Sequence, residues 1–217
     1  MNNAIASAPG HDTRICSTYG TAINLATPAG LDINFLDMAE RLSGLNRFLA
    51  CNRGPKYSVA QHSVVVMTIL QDRLKLKSYN PLDCQILLAA LLHDGHEAYL
   101  GDIPPPVVRA LDLRHRGVSQ AVTDLKRALD QAICAKAKLP YHVMESNAGH
   151  IAEADAIALA TEVRDLGLNP RQFGRLPKCH KKRIKPLPQA CAHSEFINQL
   201  EHILGRNIRG KMYDGRA

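Results

Sequence analysis

One stretch constrains this chain more than any other: Ile86 to Arg109, ILLAALLHDGHEAYLGDIPPPVVR. Ile86, Leu87, Leu88, Ala89, Ala90, Leu91 and Leu92 predict a helix that is apolar on nearly every side, and such a helix is buried. His93, Asp94, His96, Glu97 and Asp102 follow, five groups able to hold a metal or a proton. Ionisable side chains at the end of a buried helix are costly unless they are paired or coordinate a metal. A helix C-terminus capped by His, with solvated acids beyond it, fits the same residues in isolation. The decision therefore rests on what the rest of the chain brings to this point.

At 217 residues the chain is long enough for one sizeable core. We expect a single domain over 14–205, a disordered tail over 1–13 and a flexible tail over 206–217. Hydrophobic residues make up 46% and charged ones 22%, the profile of a soluble globule. The net charge of +7 suits an anionic ligand, nucleotide or nucleic acid, without choosing between them. Six cysteines show no CxxC spacing. Cys179-His180 and Cys191-x-His193 match no strong zinc pattern either. The N-terminus lacks the charged and apolar regions of a signal peptide, and no apolar run reaches membrane-spanning length. The expectation is a cytoplasmic protein with reduced thiols and no membrane partner.

Helical spacing recurs along most of the chain. After a short hairpin expected from Arg14 to Asn24, the set Leu36, Ala39, Leu42 and Leu45 runs into Asn46-Arg47-Phe48. Ser58 is the expected cap of a helix carrying Val59, His62, Val66, Ile69 and Leu70 on one side. Asn80-Pro81 supplies a cap and a first-turn proline for the helix leading to His93. Pro104 to Pro106 stiffen the loop after Asp102 and start a short helix to Leu111. Further helices are predicted from about Val118 to Lys138, from about Met144 to Leu166 with Gly167 as terminator, and from Glu195 to Leu204 behind a Ser194 cap. No segment needs to be a core strand, so the fold class is all-α: one helical bundle.

His62 on an apolar helix face reads, alone, as a core histidine bonded to a carbonyl. Asp155 lies amid Ile151, Ala154, Ala158 and Leu159, where a buried carboxylate without a partner would be unusual. Taken with His93 and Asp94, two imidazoles and two carboxylates project from three apolar helices. A shared cation in the bundle core accounts for all of them together.

The arrangement resembles the HD-domain metal-dependent phosphohydrolases, whose pattern is H…HD…D. YSVAQHS (Tyr57 to Ser63), LLHDGHEAYLGDIPPPV (Leu91 to Val107), EADAIALATE (Glu153 to Glu162) and Asn46-Arg47-Phe48 resemble the bacterial and phage 5′-deoxynucleotidase branch, over roughly Thr18 to Leu166. The resemblance implies metal ligation by His62, His93, Asp94 and Asp155. Mixed imidazole and carboxylate donors favour one divalent transition metal, Co, Mn, Zn, Fe or Ni, over Mg; an additional ion such as Mg with the nucleotide phosphates is compatible. It implies Glu97 as the catalytic carboxylate. On a continuing helix Glu97 would face the same way as His93, four residues earlier. It implies Asp102 at the sugar 3′-hydroxyl or the leaving group, Arg47 as a phosphate clamp, Phe48 against sugar or base, and Ala50 in the base pocket. A solvated turn remains open for Asp102, and core packing for Phe48. Relatives carry Lys after the proline loop, where it meets the distal phosphates; this chain has Val108 there, so either Arg109, the next residue, reaches round to bind substrate or another cation does so. His96 fits either a position behind the ligands or the surface, and Glu162 is better suited to orienting a neighbour than to binding metal.

The expected activity is hydrolysis of dATP to deoxyadenosine and triphosphate; the alternative is a 5′-deoxynucleotidase acting on deoxynucleoside monophosphates. Relatives assemble as dimers or larger rings, so a homo-oligomer (dimer or hexamer) is expected. A rival class, a nucleic-acid-binding module, rests on the basic run Lys178 to Lys185. That run lacks interleaved aromatics and any DNA-reading motif, which argues against it.

Overall fold

The computed structural model describes residues 12–19, 22–52 and 54–205. The tails expected at 1–13 and 206–217 lie outside these, apart from Asp12 and Thr13. The described residues form nine α-helices and one small antiparallel ribbon, so the fold is all-α. The ribbon joins β1 (Arg14–Ile15) to β2 (Ile23–Asn24) with Ile15 opposite Ile23. The helices are α1 (Phe35–Gly44), α2 (Val59–Leu74), α3 (Pro81–Leu91), α4 (Glu97–Leu100), α5 (Pro105–Asp112), α6 (Val118–Ala137), α7 (Tyr141–Ser146), α8 (Ala148–Asp165) and α9 (Gln189–Leu204). No described helix is long and apolar enough to cross a membrane.

At the centre is α2, packed against α1, α3, α8 and α9. Its Val59, Ala60, Val66, Ile69 and Leu70 are buried together with Leu87 to Leu92. Each such Val or Leu contributes roughly 1.5–3 kcal/mol by leaving water. Both expected caps form: Ser58 Oγ accepts from the Gln61 N–H at 3.3 Å, and Asn80 Oδ1 from the Leu82 N–H at 2.9 Å. At its other end α2 stops on Lys75, exposed and left-handed at φ 54°. A side chain there costs about 1–2 kcal/mol that glycine avoids. Lys75→Gly is therefore expected to raise unfolding free energy by about 1 kcal/mol after the extra unfolded-state freedom of glycine is counted. Urea denaturation should show a higher midpoint; an unchanged or lower one refutes the expectation.

Three boundaries differ from those predicted. The helix expected from Met144 to Leu166 is two helices, broken at Asn147, whose side-chain amide donates to the Val143 carbonyl at 2.8 Å and competes with the ladder. The last helix starts at Gln189 rather than Glu195. Pro188 pre-sets the entry, and its carbonyl accepts from the N–H groups of Cys191 and Ala192. The helix of Ile86 to Leu91 does not continue through Glu97: it stops before His93, and α4 begins anew at Glu97. Gly95, poor in a helix interior, sits between them.

Residues 176–188 run as an irregular strap across α2 and α8. Buried Gln61 holds it at two points: its amide donates to the Lys185 carbonyl at 2.8 Å and its oxygen accepts from the Leu187 N–H at 2.9 Å. The Arg164 guanidinium donates to the carbonyls of His180 and Lys182, and Asp165 accepts from the Ile184 N–H. The basic run is thus tethered along its backbone, while Lys178, Lys181, Lys182, Arg183 and Lys185 remain exposed.

Candidate metal centre

Four separate pieces of chain meet at the N-terminal half of α2. His62 lies one turn into that helix and is fully buried. Arg47 arrives beside it because an antiparallel bridge pairs Asn46 with Ser58, with the Arg47 N–H donating to the Tyr57 carbonyl at 2.9 Å. His93 and Asp94 occupy the turn after α3. That turn presses close to α6 and α1 because Gly95 has no side chain: a Cβ there would meet the Leu92 carbonyl at 3.0 Å and Ile133 Cδ1 at 3.1 Å. Asp155 and Glu162, two turns apart on α8, complete the set, and α8 packs along α2.

His62 Nε2 is 3.1 Å from Asp155 Oδ1 and 3.5 Å from Asp94 Oδ2, and His93 Nε2 is 3.2 Å from Asp94 Oδ2. Donor atoms each about 2.1 Å from one ion stand roughly 3.0–3.4 Å apart, so these spacings are those of a coordination shell. The tautomers point the same way. His93 Nδ1 is 2.9 Å from the Ala90 carbonyl, which can only accept, so Nδ1 carries the proton. His62 Nδ1 is 2.6 Å from Glu162 Oε1 and donates to it. Among the described residues, both Nε2 atoms are left buried with no hydrogen-bond partner. Unprotonated, each turns a lone pair toward carboxylate oxygens; an acceptor facing acceptors needs a cation between them. The residues present therefore fit a divalent ion. Asp155, about half exposed, lies on the open side.

The electrostatics express the same demand. Burial and the Arg47 charge push the His62 pKa down, yet Glu162, Asp155 and Asp94 outweigh them and hold it well above its ordinary value. Burial would raise Asp94, but His93 and His62 keep it well below the carboxylate range. Glu162, fully buried, is also lowered: Arg47 and His62 overcome its burial. Without a metal, a proton on His62 supplies the positive charge these carboxylates require.

Glu97 behaves oppositely. Burial, then the charges of Asp94 and Asp102, push its carboxyl up to about 8. It is 8% exposed, and its Oε2 has no hydrogen-bond partner among the described residues. Asp102, half-buried after Gly101, is raised by burial and by Asp94. The guanidinium of Arg47 sits 3.3 Å from Glu162 Oε2 and 3.8 Å from Asp94 Oδ2, and its Nε–H is buried without a hydrogen-bond partner among the described residues. It also lies 5.2 Å over the ring of Phe48, which packs edge-on against Phe173. Phe48, Leu49 and Ala50 have φ of 56°, 50° and 59°, three consecutive left-handed residues. At about 1–2 kcal/mol each this turn is strained.

The structure thus brings together His62, His93, Asp94, Asp155, Glu97 and Arg47, with Asp102 and Phe48 beside them; Ala50 follows on the same left-handed turn, and no described contact ties it to the cluster. Arg109 is exposed on α5, and no described contact ties it to the cluster. Glu162 orients His62, as expected of it. Sequence reasoning missed Lys126 and Asp130, both on α6. The charge of Lys126 acts on Glu97 and Asp102, and Asp130 Oδ1 is 2.8 Å from His96 Nδ1. The only sequence signal for Asp130 was an acid in the apolar stretch around Leu129 and Ile133; Lys126 carried none.

Among known proteins, the chain is 30% identical over 176 residues to the uncharacterized protein YfdR of Escherichia coli (strain K12), covering 79% of this chain and 85% of that protein. It is 27% identical over 201 residues to the uncharacterized protein RCAP_rcc00048 of Rhodobacter capsulatus, covering 88% and 95%. No family model matches the chain.

Proposed function

The chain belongs to the YfdR family, and we propose that within it this protein is a metal-dependent deoxynucleotide phosphohydrolase with HD-domain chemistry, acting on dATP. Family membership brings no activity with it. The observation that carries the reading is the convergence of His62 Nε2, His93 Nε2, Asp94 and Asp155, with lone pairs and carboxylates facing one another at 3.1–3.5 Å and no donor between them.

When bound, a divalent ion such as Co, Mn, Zn, Fe or Ni polarises a phosphate oxygen and lowers the pKa of water. The chain's own residues do the rest. Arg47, immobilised by Glu162 and Asp94 with a free Nε–H, is a fixed charge for the alpha phosphate. Lys126 supplies positive charge near Glu97 and Asp102. Glu97 accepts the proton of the attacking water. A cation held by the neighbouring residues would bring its raised pKa back toward neutrality, the range suited to a general base. The water oxygen bonds to phosphorus, the P–O5′ bond breaks, and O5′ takes a proton, for which Asp102 is the nearby carboxyl; deoxyadenosine and triphosphate leave. Phe48, braced by Phe173, and Ala50 offer a wall for sugar and base.

The exposed position of Arg109, outside the cluster, favours a second reading: a 5′-deoxynucleotidase on monophosphates, which needs no contact to distal phosphates. A panel of deoxynucleoside mono-, di- and triphosphates, incubated with each metal and resolved by chromatography, separates the two. Triphosphate from dATP, abolished by EDTA, supports the first; phosphate from monophosphates supports the second. No EDTA-sensitive release from any nucleotide with any metal rejects both.

A further inference from the structure

The strap of residues 176–188 does not lie flush on the helices. Between it, α2 and α9 is a half-open cavity of about 270 Å3, and none of His62, His93, Asp94 or Asp155 lines it. The strap is pinned on either side of this space. Thr161 Oγ1 accepts from the His180 N–H at 2.8 Å, and Gln61 holds Lys185 and Leu187. The floor is apolar: Val64, Val65 and Ile69 come from α2, Ile184 and Leu187 from the strap. Protein interiors are ordinarily close-packed, so a space held open by fixed anchors invites an occupant.

The polar lining divides by charge. Lys182, Arg183 and Lys185 stand on the strap side, all exposed. Arg183 has Asp165 at 3.9 Å, but neither lysine has a carboxylate within ion-pair distance among the described residues. Acceptors remain on the helix side. Thr68 Oγ1 commits its proton to the Val64 carbonyl at 2.8 Å, which leaves only its lone pairs. Glu195 of α9 is partly buried and makes no hydrogen bond or ion pair among the described residues, and burial raises its carboxyl. At the far end His180 lies 3.4 Å from Asp72.

A ligand that suits both sides carries an anion at one end and several hydroxyl donors on a compact body. We propose that the cavity under the strap is a binding site for a sugar phosphate, with Lys182 and Lys185 on the phosphate and Glu195 and Thr68 on the sugar hydroxyls. Charge-assisted bonds hold the phosphate, and the C–H face of the sugar lies on the valine and isoleucine floor. A bare anion would bring Glu195 no donor, and an acyl chain would leave both acceptors unsatisfied. No Phe, Tyr or Trp lines the cavity to stack a base. Its volume also falls below the clefts of roughly 300–1,000 Å3 that enclose drug-sized ligands, which favours a pentose phosphate over a whole nucleotide. The site stands apart from the reaction proposed above. A ligand joining α9 to the strap braces a segment whose anchors, Gln61 and Thr161, directly precede His62 and Glu162.

The test titrates the full chain, in EDTA, with ribose 5-phosphate by calorimetry and follows amide hydrogen exchange with and without it. Saturable binding is expected, with slowed exchange over the strap from His180 to Leu187. The double variant Lys182→Glu/Lys185→Glu and the single variant Glu195→Gln are each expected to bind about tenfold more weakly, the loss of a hydrogen bond to a charged group. Both lysines are exposed, so the double variant keeps the test decisive should Glu195→Gln fail to fold. Absence of saturable binding, parent affinity in either folded variant, or protection confined to residues outside the strap overturns the proposal. Inorganic phosphate binding as tightly as ribose 5-phosphate overturns the role of the sugar. Deoxyadenosine monophosphate displacing ribose 5-phosphate from the strap at lower concentration overturns the assigned ligand class in favour of nucleotides.

Discussion

Glu97→Gln is expected to hydrolyse its nucleotide some 10²–10⁴-fold more slowly than the parent chain, the usual contribution of a positioned general base. The amide keeps the volume of the side chain but cannot take a proton. His62, His93 and Asp155 are untouched, so Mn2+ remains bound among them, and nucleotide affinity measured with a slowly hydrolysed analogue should change little. The pattern that identifies a base is a fall in kcat with KM nearly unchanged. Turnover at the parent rate would remove Glu97 from the mechanism. Loss of all bound metal would instead mark it as a metal ligand.

Arg47→Ala is expected to cost about 3–5 kcal/mol of stability in the metal-free protein, the usual penalty for removing one partner of a buried ion pair. Glu162 has no solvent exposure, and its Oε2 has Arg47 at 3.3 Å as its ion-pair partner. Burial alone would push Glu162 toward its protonated form, and Arg47 is the first force opposing that. Once the guanidinium is gone, the carboxylate must either stay charged without it or take a proton and weaken its hold on His62. Arg47→Lys retains the charge without the planar fork and should lose less. Urea titrations in EDTA measure both. A cost below about 1 kcal/mol for the alanine variant would mean that the pair is not structurally important.

Much of this architecture was legible beforehand, for identifiable reasons. The buried faces of α2 and α3 showed as apolar spacing, and their starts as Ser58 and Asn80, because caps and periodicity are local properties. The candidate cluster of His62, His93, Asp94 and Asp155 was legible because each group interrupts or ends an apolar helix, where it is costly unpaired. Other features depended on tertiary contacts. The stop after Leu91 depends on the turn of Gly95 against Ile133, the break at Asn147 on one side-chain amide outcompeting the ladder, and the early start of α9 on Pro188. Lys126 and Asp130 reach the site only because α6 folds back over it. A helix pattern such as that of Val118–Ala137 says which face is apolar, not which distant residue its charged edge will meet.

The convergence of segments from α2, the turn after α3, and α8 has a further consequence. In an unfolded chain these donors are far apart, so an ion held by them would have nothing comparable to grip there. Its affinity would become folding free energy, about 2.7 kcal/mol at a hundredfold excess over Kd. The cation would act as a rivet driven last, after the long-range contacts between α2 and α8 have formed, and retention of metal would report that the whole bundle is intact.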